Sequence, residues 1–394
     1  MEGFMKKRAI SILLTAAMAA SALAVGTVTV SAEEEKEKFV IGMSQCNLGE
    51  PWRVAMNDQI ERAAEKYPEF EVIFADAAQD NSKQIADIEN FVQMGVDLLL
   101  VSPNEATPLT NAVSAAYDAG IPVILLDRKI DGDKYTQFIG ADNVEMGRVA
   151  GEYVADVLLP DGGKVCEIKG LEGTSGGIDR DKGFREGIAK NENIEIVAEN
   201  NADWLREKAI TVAEEMLQTN DEIDLFIALN DPMAEGAYIA AKNAGREGDI
   251  MFIGFDGLAT PDGGIRSVID GRLSMTQVYP TGGAEAIESA YQLLVEGKEL
   301  DKTLTLESEV VTPDTAEELL AKYSGSEDGE AAEETTEDAA AEEEATEEAA
   351  AEEETTEEAA DEEETPADAA AEEEATDDAA TEEAAEDTEK AAEE

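Results

Sequence analysis

The chain has 394 residues, of which 92 are acidic and 29 basic, so its formal net charge is −63; it contains two cysteines and no histidine. Such a charge argues against a nucleic-acid partner, because binding to nucleic acid depends on basic side chains that neutralise phosphates. The lack of histidine excludes catalytic triads and zinc sites that need imidazole, and two cysteines are too few for a disulfide scaffold.

The charge is spread unevenly, which divides the chain into three segments. Residues 1–32 have a net charge of +2, and residues 33–324 carry 57 acidic and 25 basic side chains. Residues 325–394 carry 34 acidic side chains and a single basic one. Because these compositions differ so strongly, each segment is interpreted separately.

The first segment has the features of an export signal. Three basic residues, Lys6 to Arg8, precede an apolar run over 9–30, and Val30-Ser31-Ala32 fits a cleavage site of small residues. A transmembrane anchor is the alternative, but the charged stretch that follows at once favours a cleaved signal peptide over 1–32. No cysteine lies in or just after this segment, so we expect an exported protein of the periplasm, cell envelope or extracellular space without a lipobox.

The middle segment alternates short apolar runs with amphipathic stretches, which is typical of βα units around parallel sheets. Strands are predicted in two series, 39–43, 71–75, 98–102, 123–126 and 138–140, then 164–169, 194–198, 225–228, 251–255 and 273–277. Helices are predicted between them over 54–66, 82–93, 107–119, 144–157, 179–190, 206–218, 232–244, 261–270 and 284–296. Two such series predict two similar α/β lobes with parallel sheets.

The last segment, 325–394, repeats a Glu/Ala-rich unit of about ten residues. Ala and Glu favour helix, but neighbouring glutamates repel one another and almost no lysine is present to pair with them. No large apolar residue remains to offset the ordering entropy, so we expect a disordered low-complexity tail. The tail is interpreted as a solvated spacer, with weak cation binding or partner docking as the alternative.

Polar and aromatic residues follow the predicted strands, where ligands bind in open parallel sheets. After strands of the first series come Glu50, Trp52, Arg53, Asp127 and Arg128. In the second series the corresponding residues are Arg180, Trp204, Asn230, Asp256 and Gln277.

This mixture of residues is typical of a sugar site. An indole packs on the C–H face of a sugar, while carboxylates, amides and guanidinium groups make fixed hydrogen bonds to its hydroxyls. Each of these residues also has a simpler structural interpretation. Asp127-Arg128 could form a surface ion pair, and Trp204 could be a core residue. Asp256-Gly257 could be a helix cap followed by a turn. Their common position at strand ends is what favours binding.

The glycine-rich segment 170–177 is a second candidate motif. It lacks the G-x-G-x-x-G spacing of a dinucleotide site and the lysine of a P-loop, so phosphate binding is disfavoured. We interpret it as a flexible turn that lets the backbone approach a ligand.

Residues 39–323 resemble the ribose/galactofuranose-type sugar-binding proteins of bacterial ABC importers, in the periplasmic binding protein-like type I group. Glu50-Pro51-Trp52-Arg53 is most similar to the galactofuranose-binding type, in which Trp-Arg replaces two phenylalanines of ribose binders. The other matching stretches are 123–128, 140–143, 173–175, 180–184, 230–231, 254–257 and Gln277.

The resemblance implies a fold of two Rossmann-like lobes joined by a multi-strand hinge. The N-terminal lobe would comprise 39–141 and 278–306, and the C-terminal lobe 142–277 and 307–323. It also implies a monomer without cofactor or metal, which captures a monosaccharide, galactofuranose-like among the candidates, and delivers it to an ABC permease.

The resemblance further implies roles for the candidate residues. Trp52 and Trp204 would sandwich the sugar ring from opposite lobes. Many relatives carry a ligand-binding arginine at the position of Ile178, so Arg180 either takes over this role or supports the fold. Hydroxyls would be bound from the first lobe by Asp127 and Arg128, with Arg53 and Glu50 beside them, and from the second lobe and hinge by Asn230, Asp256 and Gln277.

Two other classes of function remain open on the sequence. A sugar or signal sensor for a membrane chemoreceptor would share the fold and the site and differ only in its membrane partner. A glycosidase-like enzyme would use Glu50, Asp127 and Asp256 as catalytic carboxylates, but the density of Trp, Arg and amide groups favours holding a ligand over cleaving it. A bridge between Cys46 and Cys166 would pin the hinge, so we expect two free, buried thiols.

Overall fold

A computed structural model describes residues 38–324 of the chain. The predicted signal peptide over 1–32 and the predicted disordered tail over 325–394 lie outside the described residues. Within residues 38–324, no helix is both long enough and apolar enough to cross a bilayer.

The described residues form twelve strands and ten α-helices. The strands are β1 (Phe39–Gln45), β2 (Phe70–Asp76), β3 (Leu98–Val101), β4 (Val123–Leu126), β5 (Gln137–Ala141), β6 (Gly163–Lys169), β7 (Ile194–Asn201), β8 (Leu225–Ala228), β9 (Met251–Ile253), β10 (Thr276–Val278), β11 (Thr303–Leu306) and β12 (Glu309–Val311). The helices are α1 (Pro51–Ala64), α2 (Asn81–Met94), α3 (Ala106–Asp118), α4 (Asn143–Tyr153), α5 (Ser175–Ile188), α6 (Arg206–Thr219), α7 (Asp231–Asn243), α8 (Gly264–Ile269), α9 (Gly283–Leu294) and α10 (Ala316–Ser324).

The strands build two separate parallel sheets. One has six strands in the order β11-β5-β4-β3-β1-β2, and the other has four in the order β7-β6-β8-β9. A short antiparallel pair of β10 and β12 completes the fold. The predicted α/β architecture with two parallel sheets is therefore confirmed. The residues around the six-stranded sheet are called the first lobe and those around the four-stranded sheet the second lobe, while the predicted lobe boundaries stay a prediction.

The central strands are apolar because helices cover both faces of a parallel sheet. All four residues of β3, β4 and β8 are fully buried. The edge strand β11 reads Thr-Leu-Thr-Leu and is largely exposed, so its sequence carries none of the buried signal that identifies the central strands. This explains why the pattern does not predict β11. Strand β12 and helix α10 are not predicted either.

Helix α5 begins earlier than the pattern predicts, at Ser175 instead of residue 179. It therefore takes in Gly176 and Gly177, and the interpretation of the whole segment 170–177 as a flexible turn is wrong. Helices α4 and α5 cross so closely that a Cβ on Gly183 would lie 2.0 Å from the carbonyl oxygen of Val144. The glycines in α5 thus serve helix packing as well as the site.

The two cysteines, Cys46 on the loop after β1 and Cys166 on β6, are free and buried, as predicted. Burial raises the pKa of the Cys166 thiol to about 12, so it is a neutral, inert core group.

Glu167 on β6 is a fully buried carboxyl group. Its Oε2 accepts a hydrogen bond of 2.9 Å from Arg185 Nη2, and its Oε1 has no hydrogen-bond partner within residues 38–324. Burial and the charge of Asp181 raise the pKa of Glu167 to about 8, against the opposing effect of Lys169 and Arg185.

This carboxyl group makes the stability of the protein depend on pH. Glu167 holds its proton more tightly in the folded state than in the unfolded state. The contribution of this protonated carboxyl group to stability is therefore complete below the ordinary pKa of 4.5, and it is lost as the pH rises towards 8. We expect the unfolding temperature of the wild type to fall more steeply between about pH 5 and about pH 8 than that of Glu167→Gln. Scanning calorimetry of both proteins tests this, and equal slopes would contradict it.

Candidate functional site

Nine of the ten predicted site residues line one cavity, which lies between the two lobes. They reach it from the carboxyl ends of strands in both sheets, as expected for parallel sheets. The lining residues are Glu50, Trp52, Arg53, Asp127, Arg128, Gly176, Arg180, Trp204, Asn230, Asp256 and Tyr279.

The first lobe contributes a buried cluster of charged groups. Arg53 Nη2 donates a 2.6 Å hydrogen bond to Asp127 Oδ2, and Arg53 Nη1 donates one of 2.8 Å to Ser102 Oγ. Arg128 lies 3.6 Å from the same Asp127 oxygen and 4.0 Å from Glu50. These contacts fix the guanidinium planes and carboxylates in place before any ligand arrives, which reduces the ordering cost of binding.

Asp127 keeps its charge although it is buried. Burial opposes ionisation, but Arg53, Arg128 and Arg180, together with a hydrogen bond from Tyr279, outweigh it and lower the pKa of Asp127. Its backbone adopts a left-handed φ of 63°, a sparsely populated conformation for a residue with a side chain. Such strain persists only where surrounding contacts hold it, and it is concentrated at functional sites.

Trp204 enters the cavity from the second lobe on a strained backbone, with φ of 72°. Its ring packs against the backbone of Gly170 and Gly177, where an added Cβ would come within 2.1 Å and 3.3 Å of ring carbons. The guanidinium of Arg128 lies over the ring at 5.5 Å from its centre, so the two lobes meet here.

Two donors in the cavity wall have no hydrogen-bond partner among residues 38–324, although Arg53 Nε lies 3.9 Å from Glu50 Oε1. Within residues 38–324, neither Trp204 Nε1 nor Arg53 Nε has a hydrogen-bond partner, although both atoms are buried. Each side chain is less than 5 % exposed. A buried donor without a partner is costly, so the site has donors ready for acceptors on a ligand.

Trp52 lies at the other side of the cavity and has its polar edge already satisfied. Its Nε1 donates to the carbonyl oxygen of Tyr279 at 2.8 Å, and its ring stacks on the Tyr279 ring with centres 5.0 Å apart and planes 11° apart. The guanidinium of Arg53 also lies over this indole, at 4.9 Å from its centre. The proposed sandwich of a sugar between Trp52 and Trp204 stays a prediction.

Arg180 on α5 is held in place by protein groups. Its Nε donates to Asn143 Oδ1 at 2.7 Å and its Nη1 to the carbonyl oxygen of Leu229 at 2.6 Å. It also lies over the rings of Tyr279 and Phe255 at 4.8 Å and 5.4 Å. Arg180 thus lines the cavity and supports its walls, whereas Ile178 is 59 % exposed.

Asn230 and Asp256 complete the wall on the second lobe. Asn230 caps α7 by accepting a hydrogen bond from the backbone of Met233, and its Nδ2 donates to the carbonyl oxygen of Trp204 at 3.1 Å. Burial and the neighbouring Asp231 raise the pKa of Asp256 well above its ordinary value. The site therefore pairs an ionised Asp127 with a carboxyl group at Asp256 that holds its proton more tightly.

Gln277 is the exception among the predicted residues. It is not among the residues that line the cavity, and its Nε2 donates to the backbone carbonyl of Met146 at 2.8 Å. The side chain is buried at 1 % exposure on β10, where it ties the strand to α4.

Tyr279 and Gly176 line the cavity but were missed by the sequence interpretation. Tyr279 directly follows β10, and the signal that found the other residues, a polar or aromatic residue just after a strand, applies to it once the strand is known to end at Val278. Gly176 carries no side chain and offers no such signal.

The lobes also touch outside the cavity. Gln79 Nε2 donates to the carbonyl of Asp203 at 3.1 Å, and the backbone N–H of Lys129 donates to Ser175 Oγ at 2.9 Å. A backbone hydrogen bond of 3.3 Å joins Ala106 to Gly173. These contacts bracket the cavity and correspond to a closed arrangement of the lobes.

We expect Gly170→Ala to weaken ligand binding about tenfold or more, because the new methyl group would overlap the Trp204 ring and displace it. Gly248→Ala is the matched control, since its Cβ would meet no atom within 4 Å. Calorimetric titration of both variants with the same monosaccharide tests this. Equal affinity in both would show that the position of Trp204 is unimportant.

Residues 41–299 match the family described as periplasmic binding protein domain. The ribose import binding protein RbsB of Bacillus subtilis is 35 % identical over 305 residues, which cover 76 % of this chain and 97 % of that protein. The galactofuranose-binding protein YtfQ of Escherichia coli is 32 % identical over 296 residues, covering 72 % and 91 %.

A solved structure is similar to the chain in both sequence and fold. The fructose-binding periplasmic domain of a hybrid two-component system superposes with a TM-score of 0.70 at 41 % identity, over 72 % of this chain and 94 % of that domain. The match in sequence and the match in fold extend over both lobes. The chain therefore belongs to the periplasmic binding protein family, in the group of ABC-importer sugar-binding proteins that its sequence resembles.

Proposed function

We propose that the mature protein captures a monosaccharide between its two lobes outside the cytoplasmic membrane and delivers it to the permease of an ABC importer. The observation that carries this proposal is the interlobe cavity, in which Trp204 Nε1 and Arg53 Nε are buried donors without a hydrogen-bond partner within residues 38–324. Relatives named for ribose and galactofuranose support a monosaccharide as the ligand.

The sugar would be held by groups from both lobes. Asp127 and Glu50 accept hydrogen bonds from hydroxyls, while Arg53, Arg128 and Trp204 donate them. Contacts that bridge the lobes exist only when the lobes are closed, so the sugar shifts the population towards the closed state. The permease would then recognise the closed protein, which acts as a monomer.

We propose binding without catalysis. A glycosidase needs one carboxylate free to attack or to activate water. Asp127 is bound by Arg53 at 2.6 Å and flanked by Arg128, which makes it a fixed acceptor and a poor nucleophile. The family consists of substrate-binding proteins, in agreement with this assignment.

A sensory role is the second candidate, because the fructose-binding neighbour is a domain of a two-component system. In that case the closed protein would signal to a membrane receptor instead of feeding a permease. Sugar uptake by cells that lack the protein separates the roles: lost uptake supports transport, and unchanged uptake with a lost response to the sugar supports sensing.

A thermal-shift screen against monosaccharides tests the binding proposal. We expect at least one pentose, hexose or inositol to raise the unfolding temperature by roughly 4 °C or more at a concentration far above its dissociation constant. Amino acids and nucleotides serve as negative controls. No shift with any sugar would contradict the proposal.

A further inference from the structure

A second cavity adjoins the sugar site. Trp52 and Asp256 line both cavities, so the two spaces meet at these side chains. The other lining residues come from both lobes and are Pro51, Arg206, Asp231, Pro232, Leu258, Thr260, Asp262, Gly263 and Gly264. None of these others was among the predicted site residues.

Arg206, a half-buried residue, lines this cavity. It is the first residue of α6, where a cation meets the positive end of the helix dipole. Its Nε is buried without a hydrogen-bond partner, and no ion pair involves it within the described part of the chain. Both features are unfavourable for the protein alone, and a ligand group that accepts a hydrogen bond would offset them.

Thr260 presents a second polar atom without a partner. Its Oγ1 is buried and has no hydrogen-bond partner in residues 38–324. A hydroxyl can donate and accept, so Thr260 and Arg206 together suit a ligand hydroxyl.

The carboxyl groups of the cavity indicate the charge of that ligand. Both oxygens of Asp231 are already engaged, by Thr276 Oγ1 at 2.7 Å and by the backbone N–H of Gly257 at 2.7 Å. With Asp256 and Asp262 also in the wall, an anionic group would meet three carboxyl groups. A neutral hydroxyl, by contrast, can donate to a carboxyl oxygen while it accepts from Arg206.

We propose that this cavity is an extension of the sugar site which holds a neutral, hydroxyl-bearing substituent of the ring and so favours hexoses over pentoses. The inference rests on the proposed function, since the ring itself must occupy the first cavity. Arg206 and Thr260 bind the substituent and leave the ring contacts unchanged.

Two pairs of sugars isolate this substituent. D-Allose differs from D-ribose, and D-galactose from L-arabinose, by a single hydroxymethyl group. We expect the wild type to bind the hexose of at least one pair about tenfold more tightly than its pentose, the effect of one or two hydrogen bonds. In Arg206→Met and Thr260→Val we expect this advantage to disappear while the affinity for the pentose stays within about twofold.

Calorimetric titration of the full mature chain with the four sugars measures these affinities. Lys182→Met, which removes an exposed cation of the second lobe, is the control and should bind like the wild type. Equal binding of pentose and hexose by the wild type, or an equal loss for both sugars in the variants, would overturn the inference and leave the proposed function standing. Absence of binding for all four sugars would overturn the inference, and the wider screen would then decide the proposed function separately.

Discussion

We expect Asp127→Ala to lower sugar affinity at least about 100-fold while the protein remains folded. The substitution removes a charged acceptor from the cavity. It also leaves Arg53 without the carboxylate that binds its guanidinium at 2.6 Å. Loss of a hydrogen bond to a charged group, together with an unpaired buried charge, has an effect of this size.

Calorimetric titration with the most strongly bound monosaccharide measures the change, and circular dichroism checks the fold. Asp127→Asn keeps the shape and removes the charge, so it separates electrostatics from packing and should also bind weakly. Asp161→Ala, at an exposed position, is the matched control. An affinity for Asp127→Ala within about twofold of the wild type would remove Asp127 from the site.

The second large effect is expected for Trp204→Ala, which should also weaken binding about 100-fold. The substitution removes both the apolar ring and the buried donor Nε1, which has no partner in residues 38–324. Trp204→Phe keeps a ring and loses only the donor, so we expect an intermediate loss of about tenfold. Tyr117→Ala, an exposed aromatic position on α3, is the control.

Fluorescence gives an independent measurement, because the chain has only two tryptophans and both line the cavity. Sugar should change the emission of the wild type, and in Trp204→Phe the remaining change should come from Trp52 alone. If Trp204→Ala binds sugar as the wild type does, the ring plays no part in binding and Trp204 does not belong to the site.

The strands and most of the site could be predicted from sequence for one physical reason. Buried parallel strands such as β3 and β4 are continuous apolar runs, and the polar residue that follows such a run lies at the ligand-binding edge. Asp127, which follows β4, and Asn230, which follows β8, were found in this way. Gln277 lies within β10, which continues to Val278, and the residue that follows this strand is Tyr279.

Other features depend on contacts between distant segments and leave no local signal. The glycines of α5 are required by the Trp204 ring and by α4, which only the folded arrangement brings together. The absence of hydrogen-bond partners for Arg206 and Thr260 within residues 38–324 is likewise a property of the assembled lobes. Exposed strands such as β11 are short and polar, so their pattern does not differ from that of a loop.

The large acidic charge of the chain contributes little to the proposed site. About half of it lies in residues 325–394, outside the described structure. The cavity is lined by both basic and acidic side chains, namely Arg53, Arg128 and Arg180 with Glu50, Asp127 and Asp256. Such mixed polarity suits a neutral polyhydroxy ligand, which must both donate and accept hydrogen bonds.

The central claim is that one monosaccharide is enclosed between the lobes at the strand ends. A crystal structure of the mature protein with the best sugar from the screen tests it most directly. We predict density for a single sugar ring in the cavity, with hydroxyls on Asp127 and Arg53 and the ring against Trp204. Density for the sugar only on the outer surface, with this cavity closed to it, would contradict the account.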